Sequence, residues 1–143
     1  MNAGLFGGTF NPIHNGHLGI IQYVQAHYAF DTIILYPSAL PPHKSNLNLA
    51  SARDRLTMVE GAVKDLDGFQ VSDIELQREG PSFTVDTISQ FKTTFGSHTR
   101  FHLLLGSDAF FDTPSWKQSN QIFKALPVIV MQRGQRTGLE RFA

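Results

Sequence analysis

Short apolar, β-rich segments alternate with segments of helical periodicity along the whole chain of 143 residues. Because parallel strands need a long crossover connection, usually a helix, this alternation predicts an α/β fold with a doubly wound, mostly parallel sheet. The length favours a single domain over residues 1–143. The predicted strands cover residues 3–6, 32–36, 69–76, 101–105 and 128–131, and the predicted helices cover about 15–28, 52–66, 85–95 and 117–125.

The charge balance argues against partners that a strongly charged protein would bind. Lysine plus arginine number 12, as do aspartate plus glutamate, so neither nucleic acid nor an acidic membrane surface is expected as a partner. The absence of cysteine excludes a disulfide framework and thiolate chemistry. No apolar run approaches the roughly 18 residues of a membrane span. No signal sequence precedes the first strand, so the expected location is cytoplasmic.

Hydroxyl side chains mark the predicted starts of two helices. Ser51, with Asp54 three residues later, forms the pattern of a capping box before the second helix. Ser82 or Thr84 is placed to cap the third helix. These residues set the expected boundaries between the two helices and the loops that precede them.

The first strand ends at two glycines, Gly7 and Gly8. Glycine lets the backbone turn tightly and approach a ligand closely, and the start of the following helix offers N–H groups to an anion. A turn that serves folding alone explains the same residues. The segment matches neither the G-x-G-x-x-G of dinucleotide-binding folds nor the P-loop. In such sheets ligands bind at the carboxyl ends of the strands, so residues that follow strands are the site candidates.

Two histidines, His14 and His17, lie three residues apart at the start of the first helix and therefore share one face of its first turn. A nearby phosphate favours the cationic form of histidine, so the pair suits phosphate charge. Two histidines that cap the helix are one alternative, and a zinc pair is another, less favoured because no third ligand is obvious nearby. Gly16 and Gly19 each cost about 1 kcal/mol relative to alanine, which predicts a group packed close to this helix start.

Several segments, taken together, resemble a known family. Residues 7–17, GGTFNPIHNGH, resemble the G-G-T-F-D-P-x-H-x-G-H signature of the nucleotidyltransferase superfamily with H-x-G-H motifs. Residues 40–44 (LPPHK), 79–87 (EGPSFTVDT), 106–108 (GSD) with Trp116, and Arg133-Gly134 resemble successive motifs of bacterial nicotinate-nucleotide adenylyltransferases. The match runs from the first residues to about Gly134, and several motifs in the family's order are more specific than any one alone.

The resemblance implies a Rossmann-like nucleotidyltransferase fold and a reaction of NAD biosynthesis. In this family AMP passes from ATP to nicotinate mononucleotide, giving deamido-NAD and pyrophosphate. The mononucleotide phosphate attacks the α-phosphorus directly, without a covalent enzyme intermediate. The implied partners are ATP and nicotinate mononucleotide, with Mg²⁺ held mainly by the ATP phosphates.

The resemblance also assigns roles to individual residues. Three of these residues also have an alternative explanation. Asp108 could be a helix N-cap, Trp116 could belong to the core, and Arg133 could be an ordinary surface cation. The implied catalytic residues are His14, His17 and Lys44; the implied ATP-binding residues are Gly7, Gly8, Thr9, Phe10, His14, His17, Gly106 and Asp108; the implied substrate-binding residues are Lys44, Thr84, Trp116 and Arg133.

The chain departs from the family pattern in two ways. Asn11 replaces the commoner aspartate, and the S-S-T-x-[IL]-R motif of the family's C-terminal helix is absent from the sequence. The sequence therefore predicts either a fragment or a shortened member of the family whose activity is weakened or lost. The edge beside the fifth strand would then need a partner, which is compatible with a homo-oligomer. The alternatives are another small nucleotidyltransferase, of the phosphopantetheine adenylyltransferase or cytidylyltransferase type, and a non-catalytic nucleotide-binding module.

Overall fold

The computed structural model describes residues 1–10, 12–38, 50–78 and 82–132, together with the backbone of residues 139–142. The strands are β1 (Asn2–Gly8), β2 (Thr32–Pro37), β3 (Phe69–Val71), β4 (Arg100–Gly106), β5 (Val128–Met131) and β6 (Leu139–Phe142). The helices are α1 (Asn15–Tyr28), α2 (Ala52–Val63), α3 (Thr84–Phe95), α4 (Ser107–Asp112) and α5 (Ser119–Ala125), with a 3₁₀ turn at Thr113–Ser115.

The six strands form one sheet in the order β3-β2-β1-β4-β5-β6. The first five are parallel, which confirms the predicted doubly wound α/β architecture. The chain winds outward from β1 to β3, then crosses to β4 on the other side of β1. The strand order therefore reverses between β1 and β4, where Phe6 lies opposite Leu104. A crevice at the carboxyl ends of these two strands is the expected ligand site of such a sheet.

The edge of β5 is covered by β6, which pairs with it antiparallel from Val128↔Phe142 to Met131↔Leu139. The expectation of an exposed β5 edge was therefore wrong. The four residues of β6, LERF, contain no β-branched residue and do not alternate between apolar and polar side chains. Such a segment carries no strand pattern of its own and is ordered by its pairing with β5.

Apolar side chains pack on both faces of the sheet. Along β4, Leu103 and Leu105 face one cluster, with residues of α3 and α5, while Leu104 faces the other, with residues of α1 and α2. This alternation follows from the period of two residues in a strand. Because both faces are covered, the central strands are buried, and polar groups can contact them only at the two ends of the strands.

The helix starts agree only in part with the prediction. Ser51 caps α2 as expected, since its Oγ accepts the N–H of Asp54 at 3.1 Å. The prediction for α3 was wrong: its N-cap is Phe83, and no side chain caps it. Ser82 Oγ is instead buried, without a hydrogen-bond partner among the residues described, and Thr84 is the first helical residue.

The third strand is shorter than predicted and ends at Val71. Beyond it the chain turns, because Ser72 Oγ accepts the N–H of Ile74 at 3.2 Å and the carbonyl of Asp73 accepts the N–H of Leu76 at 2.8 Å. Glu75 lies in this turn and is buried. No helix within the described ranges is both long and apolar enough to cross a bilayer.

Candidate active site

The predicted nucleotide-binding segments lie at the expected place in the sheet. Gly7 and Gly8 end β1, and Gly106 ends the adjacent parallel strand β4. The start of α1 follows the first of these ends and the start of α4 follows the second. The structure therefore brings both segments to the carboxyl edge at the point where the strand order reverses.

Gly7 is required by packing. A Cβ atom at this position would lie 2.4 Å from two ring carbons of Tyr36, its partner across the β1–β2 pairing. Gly7 is still within the strand and does not have a positive φ. Gly8 is less restricted, because its Cβ would meet the Phe10 ring at 3.4 Å, an ordinary contact. Neither the turn nor the ligand explanation is needed for Gly7, since Tyr36 alone accounts for it.

Phe10 connects the end of β1 to the core. Its backbone is left-handed, with φ 48°, an uncommon conformation for a residue with a bulky side chain. Its ring is buried and packs edge-on against Phe6 and against His17, with centroid distances of 5.4 Å in both cases. The ring faces the core, so any contact of Phe10 with a nucleotide would come from its backbone.

His14 and His17 cap the first turn of α1 reciprocally. His14 is the N-cap, and its Nδ1 accepts the N–H of Gly16 at 3.1 Å. The Nδ1 of His17 accepts the N–H of His14 at 3.1 Å, and the two rings stack with centroids 3.8 Å apart. This is a capping box built from imidazoles. The two histidines therefore do cap the helix, as one alternative held. They remain candidate site residues, because capping uses only Nδ1 of each ring.

The capping bonds determine which nitrogen carries the proton. A nitrogen that accepts a hydrogen bond has no proton, so the network assigns the proton of each neutral ring to Nε2. Each ring is then a donor through Nε2, at the positive end of the α1 dipole, and the first turn of α1 contains no acidic residue. Oriented N–H donors at a helix start without competing carboxylates form a site for an anion such as phosphate.

The two helical glycines differ in their surroundings. A Cβ at Gly16 would lie 2.9 Å from the His14 ring, so glycine leaves room for the stacked imidazole. A Cβ at Gly19 would have no atom within 4 Å in the part of the chain that the structure describes. The prediction of a closely packed group holds for Gly16 and was wrong for Gly19.

The residues expected around the adenosine and pyridine groups lie at the starts of α3 and α4 and directly after the 3₁₀ turn. Asp108 is exposed in the first turn of α4, whose N-cap is Gly106, so the alternative that Asp108 caps this helix was wrong. Thr84 opens α3 and is half-buried. Trp116 is also half-buried against the core, and its indole N–H donates to Asp112 Oδ2 at 3.2 Å. Lys44, Arg133 and Asn11 lie outside the described residues.

Arg55 is a buried residue of this region that the sequence analysis missed. It lies on α2 with only 1 % of its surface exposed, and burial lowers the pKa of its guanidinium. Its side chain donates to the backbone carbonyls of Thr9, Ser38 and Ala50. The sequence did contain a signal for this burial. Arg55 lies four residues before the buried Val59 and therefore falls on the apolar face of the helix.

A second buried polar group, Glu75, links the turn after β3 to α3. Thr87 Oγ1 donates to Glu75 Oε2 at 2.8 Å and accepts from Arg78 Nη1 at 2.8 Å. Burial raises the pKa of Glu75, while the Thr87 hydrogen bond and Arg78 oppose that rise. Burial, and then the Glu75 carboxyl, raise the pKa of Tyr36, so the phenol packed against Gly7 stays protonated.

Glu75→Gln is expected to reduce the pH dependence of stability. Since the pKa of Glu75 is raised from 4.5 in the folded state, its contribution is present in full below that value and is lost as pH rises through the folded pKa. Glutamine cannot ionise and keeps an oxygen for Thr87. The free energy of unfolding is measured in urea at about pH 4 and about pH 7. The value for the variant minus the value for wild type should be larger at about pH 7 than at about pH 4. Glu60→Gln, at an exposed position, is the control. If the free energy of unfolding of Glu75→Gln minus that of wild type fell as the pH rises, the assignment would be contradicted.

The comparisons with known proteins agree with this geometry. The cytidylyltransferase-like family model matches residues 5–141. The chain is 40 % identical over 141 residues to a protein of Caldicellulosiruptor saccharolyticus named "Probable nicotinate-nucleotide adenylyltransferase", covering 99 % of this chain and 70 % of the relative. A protein of Desulfatibacillum aliphaticivorans with the same name is 41 % identical, covering 93 % of this chain and 60 % of the relative.

The fold is also shared with solved structures. The nicotinic acid mononucleotide adenylyltransferase of Plasmodium falciparum, in its complex with NaAD, superposes with a TM-score of 0.80 at 22 % identity, covering 94 % of this chain and 65 % of that one. Its complex with APC gives a TM-score of 0.78. The chain thus spans about 60 to 70 % of the length of these relatives. Because the family model matches almost the whole chain, the chain belongs to the cytidylyltransferase-like family, and within it to the nicotinate-nucleotide adenylyltransferases.

Proposed function

We propose that this chain transfers AMP from ATP to nicotinate mononucleotide, giving deamido-NAD and pyrophosphate. The observation that carries the proposal is the reciprocal histidine cap at the start of α1, which presents imidazole donors at the switch point of the sheet. The names of relatives about 40 % identical supply the choice of substrates. The P. falciparum structures, solved with NaAD and with APC, support a nucleotide as the ligand of this fold.

The chemistry needs positioning and charge stabilisation. An oxygen of the mononucleotide phosphate attacks the α-phosphorus of ATP, and the bond from the α-phosphorus to the bridging oxygen of the β-phosphate breaks. That oxygen leaves with pyrophosphate, so no covalent bond to the protein forms. Donors through Nε2 of His14 and His17, at the positive end of α1, would stabilise the charge that develops on the phosphates. Holding both substrates in line supplies most of the remaining rate.

The other predicted residues complete the proposal. Asp108, exposed at the start of α4, would accept hydrogen bonds from the ribose hydroxyls of ATP. Thr84, at the start of α3, would receive the nicotinate carboxylate, which the helix dipole favours. Trp116 would stack on the charged pyridine ring. Lys44 would add a cation near the phosphates, and Arg133 would bind the mononucleotide phosphate.

Mg²⁺ would reach this site as an ion carried by the substrate. No three histidine, aspartate or glutamate side chains come together as a metal cluster within the described ranges. The donors at the start of α1 are N–H groups, which suit phosphate oxygens and not a cation. Mg²⁺ would therefore be held mainly by the ATP phosphates, where it neutralises their charge. The cytoplasmic location and the compatibility with a homo-oligomer stay predictions.

The test is pyrophosphate release by this chain with ATP and a panel of acceptors. We expect release with nicotinate mononucleotide, at a lower rate with nicotinamide mononucleotide, and none with phosphopantetheine or glycerol phosphate. Release with phosphopantetheine, or with CTP and a sugar or glycerol phosphate, would support the other nucleotidyltransferases instead. Binding of ATP without release for any acceptor would support the non-catalytic module and overturn the proposed function.

A further inference from the structure

The buried guanidinium of Arg55 joins three separate parts of the backbone. Its Nη1 donates to the carbonyl of Thr9 at 2.9 Å and to the carbonyl of Ser38, and its Nε donates to the carbonyl of Ala50 at 3.0 Å. Thr9 follows β1, Ser38 follows β2, and Ala50 precedes α2. One side chain thus fixes the backbone at the carboxyl ends of two adjacent strands.

A backbone hydrogen bond strengthens this arrangement. The N–H of Ser38 donates to the carbonyl of Gly8 at 2.9 Å, while the carbonyl of Ser38 accepts from Arg55. The carbonyls of two consecutive residues are therefore both held, that of Gly8 by the N–H of Ser38 and that of Thr9 by Arg55, which also binds Ser38. The turn of residues 8–10 has its peptide planes fixed at the point where the left-handed Phe10 begins.

From Thr9 the constraint reaches the histidines through one ring. Phe10 follows Thr9 directly, and its buried ring packs edge-on against His17 with an interplanar angle of 80°. His17 in turn accepts the backbone N–H of His14 and stacks on its ring. A rotation of the Thr9 peptide would move the Phe10 ring and, with it, the surface against which the His17 imidazole rests.

We infer that Arg55 is a positioning residue that fixes the turn of residues 8–10 and, through the Phe10 ring, the orientation of His17 and His14. The catalytic part of this inference rests on the proposed AMP transfer. Arginine suits the task because its planar fork carries five N–H donors that can hold several carbonyls at fixed angles. Lysine would keep the charge but, as a point donor on a flexible stem, it would not hold the three carbonyls in one plane.

The test compares Arg55→Lys with the matched control Arg53→Lys, an exposed position of the same helix. Long-range ¹H–¹⁵N spectra of the histidine side chains report the imidazole tautomers without substrate. We expect Nε2–H tautomers for His14 and His17 in wild type and in Arg53→Lys, and loss of this single tautomer in Arg55→Lys. His27, exposed in the last turn of α1, should not change.

Kinetics supply the second measurement. We expect Arg55→Lys to lower kcat by about 10²-fold, as for other small displacements of catalytic groups, with a change in KM for ATP of less than about threefold. In Arg55→Ala, added guanidinium ion should restore part of the activity, and added ammonium ion should not. Unchanged tautomers and kcat in Arg55→Lys would overturn the inference. So would a variant that is unfolded in the cold, because a purely structural role would then explain the residue. If wild type releases no pyrophosphate, the proposed function fails, and the spectra still decide the role of Arg55.

Discussion

Replacing His14 with alanine should lower kcat for AMP transfer by about 10²–10³, the usual cost of losing one oriented donor to a developing negative charge. The same change removes the N-cap acceptor of Gly16, which should lower the free energy of unfolding by about 1 kcal/mol. Activity and stability would thus fall together, so the alanine variant alone cannot separate the two roles of the ring. Steady-state pyrophosphate release and thermal melting measure them independently.

His14→Asn separates the two roles. Asparagine is among the best N-cap residues, so its side-chain oxygen should restore the cap and the melting temperature. It has no donor at the position of Nε2, so kcat should stay near that of the alanine variant. His27→Ala is the control, because His27 is exposed at the other end of the same helix. Recovery of kcat in His14→Asn would mean that His14 acts on the reaction only through the helix start.

Gly7→Ala should destabilise the fold more than any other glycine-to-alanine change described above. The new methyl group would lie 2.4 Å from the ring carbons of Tyr36. That ring is buried and packs against Phe91 with centroids 5.5 Å apart, so it has no room to withdraw. Overpacking of this kind costs about 1–3 kcal/mol. At about 3 °C per kcal/mol for a domain of this size, the melting temperature should fall by about 3–9 °C.

Two further variants test the cause of this loss. Gly19→Ala, where a Cβ meets no described atom within 4 Å, should keep or raise the melting temperature by removing a helical glycine. Tyr36→Leu should recover part of the stability of Gly7→Ala, because the smaller side chain leaves space for the methyl group. Equal effects of Gly7→Ala in the presence and absence of Tyr36 would show that the ring is not the obstacle.

The features that the sequence predicted well are those that depend on local pattern. The apolar period of 3.6 residues placed α1 at its observed bounds, and the five parallel strands follow from short β-rich runs between turn residues. Ser51 was identified as a cap from its neighbouring residues, whereas the same kind of pattern failed at α3, which no side chain caps. The histidine spacing likewise indicated a shared face, although the mutual capping by Nδ1 depends on ring orientations that spacing does not determine.

The features that the sequence missed depend on distant partners. Arg55 is bound to Thr9 and Ser38, which lie 46 and 17 residues away along the chain. The buried Glu75 accepts from Thr87, which lies 12 residues further along the chain, and Thr87 in turn accepts from Arg78. The strand β6 forms only against β5. A buried polar residue or a short edge strand has no local signature, because its stability comes from tertiary contacts.

The imidazole cap has a consequence for how this lineage can change over time. Active-site residues commonly lower the stability of the protein that carries them, so they are replaced by other residues once selection for activity is relaxed. His14 and His17 instead hold the first turn of α1, and their loss would fray a helix of the core. Selection for a folded protein alone would therefore keep a capping side chain at position 14 in descendants that no longer turn over substrate, and asparagine would meet that need as well as histidine. A homologue with asparagine at this position would keep the helix start and lose the donor, whereas a homologue with both histidines keeps the cap and the donors together.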